Sequence, residues 1–102
     1  MALEDHISSI EFEWEQDRGF FWKIRQGIFD KAGFDRAHAK ITAVPNANGE
    51  AFAARLVSLL WYIPIFMEWQ RDRIKQNGGN IQEYNSSANA LHAEVERILG
   101  VP

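Results

Sequence analysis

Apolar and polar positions change period along this chain. From Ile10 to Gln16 they alternate with period two, as Ile-Glu-Phe-Glu-Trp-Glu-Gln, and Phe20, Trp22 and Ile24 alternate with Phe21, Lys23 and Arg25 after them. That period belongs to half-buried strands. Between the runs, Asp17-Arg18-Gly19 suits a hairpin loop, with Asp bonding locally and Gly taking the left-handed position. Pairing Gln16 with Phe20 sets Trp14 opposite Trp22, Phe12 opposite Ile24, Glu13 opposite Lys23 and Glu11 opposite Arg25. One side of the ribbon is then aromatic and the other charge-paired. Against this stands a helical reading. Ile7, Ile10, Trp14, Phe21, Ile24 and Ile28 also keep heptad spacing, but one continuous helix puts Asp17 in the apolar seam and Gly19 in the helix interior. Turn chemistry, alternation and charge pairing together select the hairpin.

Further along, Asp30-Lys-Ala-Gly33 reads as another turn. Ala37, Ala39, Ile41 and Ala43 then alternate with polar residues, so residues 34–44 form either a third strand or, since alanine is depleted in strands, a short helix around Asp35 to Lys40. After a loop at Pro45 to Gly49, with Asn48 as N-cap, the period becomes helical. Phe52, Leu56, Leu59, Ile63 and Phe66 form one stripe, Arg71, Arg73 and Lys75 suit the negative end of a helix dipole, and Asn77-Gly78-Gly79 ends the segment. Pro64 inside it predicts a kink or two short helices. Asn80 with Glu83 forms a capping-box variant, Ile81, Tyr84, Ala88, Leu91, Val95 and Ile98 keep heptad spacing, and Gly100 closes the last helix. The loop between these helices is short enough to force antiparallel packing.

The predicted architecture is one α+β domain spanning 1–102. It is β-rich over about 8–44, as a hairpin or three-stranded meander, and helical over about 49–77, the kinked central helix, and 80–99. An all-α three-helix bundle is the alternative.

Composition narrows the function more by exclusion than by assignment. The 102 residues are 46 % apolar and 25 % charged, and contain no cysteine. This is ordinary globular usage, without thiol nucleophiles, disulfides, iron–sulfur clusters or cysteine zinc sites, and it suits a reducing, cytoplasmic compartment. The start of the chain has Glu4 and Asp5 where a signal peptide needs bases. The longest apolar run, Leu56 to Met67, would rise only about 18 Å as a helix, too little for a bilayer core of about 30 Å. No phosphate loop, dinucleotide fingerprint or nucleophile elbow occurs. His6, His38 and His92 are too far apart in sequence for a helical metal pair, and no cofactor is expected.

Two constellations could still carry enzyme chemistry. His92 has Glu96 four residues on, a proton-transfer geometry that equally describes a solvated ion pair. Glu11, Glu13 and Glu15 would stand about 6.6 to 7 Å apart on one strand face, as paired glycosidase carboxylates do, although Lys23 and Arg25 account for them more simply.

The net charge is −3, unevenly distributed. Residues 1–17 hold six acids and no base; residues 18–40 hold six bases against two acids. Blocks of opposite sign should face each other. That cancellation weakens the case for nucleic acid made by Arg18, Lys23, Arg25, Arg36 and Lys40 beside Phe20, Phe21 and Trp22. The four tryptophans are the other departure from the ordinary. Trp61 lies opposite the apolar stripe of the central helix, which is therefore apolar nearly all round and needs cover on both sides. Either the ribbon and the last helix sandwich it, or Trp61, Tyr62 and Trp69 form an exposed patch that joins a second copy or another protein. Size, charge sign and missing catalytic motifs are those of acidic single-domain inhibitors, including the immunity proteins that neutralise bacterial toxins. That comparison is one of class and rests on no residue match. The function expected is non-catalytic protein binding, with Glu11, Glu13 and Glu15 meeting a basic partner. The alternatives are a subunit that self-associates as a homodimer through the central helix and, third, an enzyme with an unfamiliar site.

Overall fold

The computed structural model describes residues 2–47 and 51–102, which places the expected cap at Asn48 outside the described residues. Among the described residues five helices follow in order: α1 Leu3–Phe12, α2 Phe20–Arg25, α3 Lys31–Thr42, α4 Ala54–Gln76 and α5 Ile81–Leu99. There is no strand among the described residues. The α+β expectation is therefore overturned, and the all-α alternative describes the class, with five helices rather than three.

The N-terminal segment shows why. His6 and Ile10 point from α1 into the core and Ile7 packs at its edge, which is helical spacing. The alternation of 10–16 is too short to compete with that burial. The chain escapes the penalty of Asp17 and Gly19 inside a helix by stopping α1 at Phe12 and restarting at Phe20. The expected turn is there, but it joins helices, and Asp17 (φ 70°) takes the left-handed conformation instead of Gly19. Gly19 is required for another reason: a Cβ on it would lie 2.3 Å from the Glu13 carbonyl oxygen. The close approach lets Phe21 N–H donate to that carbonyl at 2.8 Å.

Residues 34–44 resolve as α3 with its C-terminus, not as a third strand. Alanine favours helix there, and Ala37, fully buried, lets α3 sit close to its neighbours. At and just beyond the end of α3, the carbonyls of Ile41, Thr42 and Val44 accept from Arg97 Nη2 of α5 at 3.4, 3.2 and 2.9 Å, and Ile41 also accepts from Val44 N–H at 3.0 Å.

The helical half follows its pattern more closely. α4 runs unbroken through Pro64 instead of splitting into two helices. It buries Leu56, Leu59, Leu60, Ile63, Phe66, Met67 and Ile74. In α5 the Asn80 side chain accepts from Glu83 N–H at 3.1 Å, and Gly100 closes the helix at φ 81°. Four residues, Asn77 to Asn80, return the chain so that α4 and α5 form the main helix pair. Tyr84, fully buried, donates its hydroxyl to the Met67 carbonyl at 2.6 Å across that pair. α1 and α2 also pack on α4, while α3 bridges to α5. One buried cluster, from Ile10 to Ile98, joins all five helices.

Candidate functional site

The six residues singled out by sequence fall into two neighbourhoods. Glu11, Glu13 and Glu15 lie at the C-terminal end of α1 and in the following loop. Trp61, Tyr62 and Trp69 lie on α4.

The three glutamates do not form one acidic edge. Glu13 has 1 % of its side chain exposed. Its carboxylate accepts from Arg36 Nε and Nη2, both at 2.8 Å, from Lys40 Nζ at 2.5 Å and from Phe20 N–H at 3.1 Å. Burial alone would push this carboxyl up; the hydrogen bonds from Arg36, Lys40 and Phe20 outweigh it and hold Glu13 below the ordinary carboxylate range. It ties the α1–α2 loop to α3, and no partner can reach it. The opposite charge blocks do meet, though not through the cross-strand pairs expected. Glu11 pairs with Arg55 at 2.7 Å, Glu15 with Arg18, and Lys23 with Asp30 at 3.4 Å. Lys40, Arg18 and Arg36 also surround the Phe12 ring, 4.4, 5.0 and 5.4 Å from its centroid.

Glu11 and Glu15 line an open groove of about 530 Å³ with Ser8, Phe12, Trp14 and Arg55. Both carboxylates are already matched by cations on the same surface, so the groove presents little net charge to a partner. His92 and Glu96 stand 3.1 Å apart with about half of each side chain in water. They form a solvent-exposed pair on α5 and share no wall with this groove. No group of three or more histidines and carboxylates able to hold a metal occurs among the described residues.

On α4 the three aromatics do converge. Trp61 is 53 % exposed and Trp69 62 %, with Ile65, 39 % exposed, between them. Tyr62, half-buried, stands edge-on to both, at 5.7 Å from Trp61 and 6.1 Å from Trp69. The sandwich that would have covered this side does not form. α1, α2 and α5 cover the stripe from Leu56 to Ile74, which leaves the opposite face open.

Sequence reasoning missed Trp14 as the link between the two neighbourhoods. It stacks on Phe21 at 4.4 Å, meets Phe66 edge-on at 4.9 Å and reaches Tyr62 at 6.0 Å. Its Nε1 is buried without a hydrogen-bond acceptor among the described residues. The signal was present in its heptad spacing to Ile10 and Phe21, but the hairpin register assigned Trp14 to Trp22. No described helix is long and apolar enough to cross a membrane. In comparison with known proteins, no family model matches the chain, and no characterised protein or solved structure matches it either.

Proposed function

We infer that this chain is a non-catalytic protein-binding domain whose contact surface is the outer face of α4. One observation carries the reading: two tryptophans more than half exposed, with an exposed isoleucine between them, on a single helix face. Monomeric surfaces seldom leave contiguous large apolar groups in water, and Trp and Tyr are the residues that most often anchor protein interfaces. A fully exposed aromatic side chain offers about 150 to 250 Å², so Trp61 and Trp69 together with Ile65 and Tyr62 present roughly 350 Å² of apolar surface. At about 25 cal/mol per Å² that is worth some 9 kcal/mol before the cost of association, enough to anchor a reversible complex.

The class comparison with small acidic inhibitors belongs to this reading, but its electrostatics are weaker than the sequence suggested. Glu13 is withdrawn and Glu11 and Glu15 are paired, which leaves Glu4, Asp5 and Asp17 as the acids of the N-terminal block available to steer a basic partner. A cytoplasmic site of action is part of the proposal and suits a cysteine-free chain.

The test is photo-crosslinking in the native host. A photoreactive phenylalanine analogue at Ile65 should give a protein adduct, and the same analogue at Asn89 on the exposed side of α5 should not. Absence of any adduct from position 65 overturns the reading.

A further inference from the structure

We propose that the α4 face receives an acidic protein segment, one that sets a carboxylate on Arg25 and Arg73 and an apolar side chain beside Trp69; this rests on reading that face as the contact surface. The starting observation is where charge is left uncompensated. Of the eleven lysines and arginines, eight are ion-paired among the described residues, and the three that are not are Arg25, Arg73 and Lys75. The first two are joined: Arg73 Nη1 donates to the Arg25 carbonyl at 2.5 Å. At about 100° per residue, Trp69, Tyr62 and Arg73 lie about 40°, 60° and 80° to one side of Ile65 around α4. Arg25 borders the same side, with its guanidinium over the rings of Phe66 at 5.3 Å and Trp14 at 5.8 Å. Its backbone stands at the turn of Arg73 and its guanidinium at Phe66, so the side chain runs along the stretch of α4 that carries Trp69.

The setting of Arg25 selects a carboxylate. A helix end favours a cation and accounts for Lys75, but the Arg25 side chain bonds no terminal carbonyl and no acid among the described residues. Stacked on rings, a guanidinium is held in one orientation with the N–H edge of its plane open. That arrangement takes a carboxylate in two parallel bonds at little further entropic cost. Both arginines are exposed. The contact face is thus positive where the N-terminal block is negative. A nucleic acid fits it poorly: two cations neutralise few phosphates, and Glu68 and Asp72 on the other side of Ile65, with a net charge of −3, repel the rest.

The experiment keeps the photoreactive analogue at Ile65 and crosslinks in fresh extracts of the native host. Arg25→Gln/Arg73→Gln, with unchanged helical circular dichroism, should lower the adduct yield about tenfold, and Arg25→Lys/Arg73→Lys should keep most of it. Arg25→Gln alone leaves the Arg73 bond to the Arg25 carbonyl in place and should lower the yield about threefold, whether or not the double variant folds. Salt at about 0.5 M should reduce the wild-type adduct and leave that of the Gln variant unchanged. Once the joined segment is sequenced, changing its acid nearest the crosslink to Lys should lower the yield, and Arg25→Glu/Arg73→Glu should restore it. Equal yields from wild type and Gln variants, or no rescue on charge exchange, overturn the acidic segment while sustaining the contact face. An adduct removed by nuclease makes the occupant a nucleic acid and overturns the proposal as well; no adduct from position 65 refutes the face itself.

Discussion

Replacing Glu13 by Gln probes how the first three helices are held together. The substitution keeps size and an acceptor oxygen for Phe20 N–H, but removes the charge that joins Arg36 and Lys40. Breaking a fully buried pair costs about 3 to 5 kcal/mol, chiefly because the remaining ion is stranded. Here the cations are not stranded: Arg36 keeps 39 % and Lys40 23 % of its side chain exposed, so both recover solvent, and the expected loss falls to about 2 kcal/mol. At this chain length that lowers the thermal midpoint by roughly 8 to 10 °C. Glu13→Ala also strands the Phe20 N–H and should cost about 1 kcal/mol more. The sign of the pH dependence follows from the depressed carboxyl. Its contribution is fully present above the unfolded-state value near 4.5 and is lost as pH falls through the lower folded-state value. Thermal melts followed by circular dichroism should therefore show wild type and Glu13→Gln well apart at neutral pH and converging in acid. A neutral-pH difference under about 2 °C, or a gap that persists unchanged into acid, refutes the latch.

Other substitutions test neighbouring parts of the account. Gly19→Ala drives a Cβ into the Glu13 carbonyl and should destabilise by at least about 2 kcal/mol in urea titration, whereas Asp17→Gly, at φ 70°, should stabilise by up to about 1 kcal/mol. Asn80→Ala removes the cap on Glu83 N–H and should cost about 1 kcal/mol. Tyr84→Phe gives up the hydrogen bond to the Met67 carbonyl for about 1 kcal/mol. Burial, aided by Glu68 and opposed by Arg71, raises the Tyr84 phenol well above its ordinary value. Its neutral form is thus a folded-state advantage that fades as pH climbs past about 10, and ultraviolet titration should show one of the two tyrosines ionising only together with unfolding.

Legibility in the sequence tracked the distance over which each determinant acts. α5 was readable because its cap, stripe and terminating glycine all lie within 21 consecutive residues, Asn80 to Gly100, and agree with one another. The stripe of α4 was readable for the same reason, and so was the apolar surplus opposite it. The first forty residues were misread because their decisive partners are remote. Glu13 looks like the solvent face of a strand until Arg36 and Lys40, 23 and 27 residues away, take it into the interior. The alternation of glutamates with Phe12 and Trp14 is real. Phe12, however, ends under three cations and Trp14 against Phe21 and Phe66, which no cross-strand register anticipates. Of the proposed contact residues, Trp61 and Trp69 are exposed, the second of the two alternatives the sequence left open, while Glu13 is buried in a structural role.

Hydroxyl-radical footprinting, comparing dilute purified protein with protein inside its host cells, bears most directly on the α4 face. Trp61 and Trp69 should oxidise readily in dilute solution and be protected in the cell, while exposed His92 on α5 reacts equally in both. Equal oxidation of the two tryptophans in both settings would mean that this surface meets no protein, and would contradict the account.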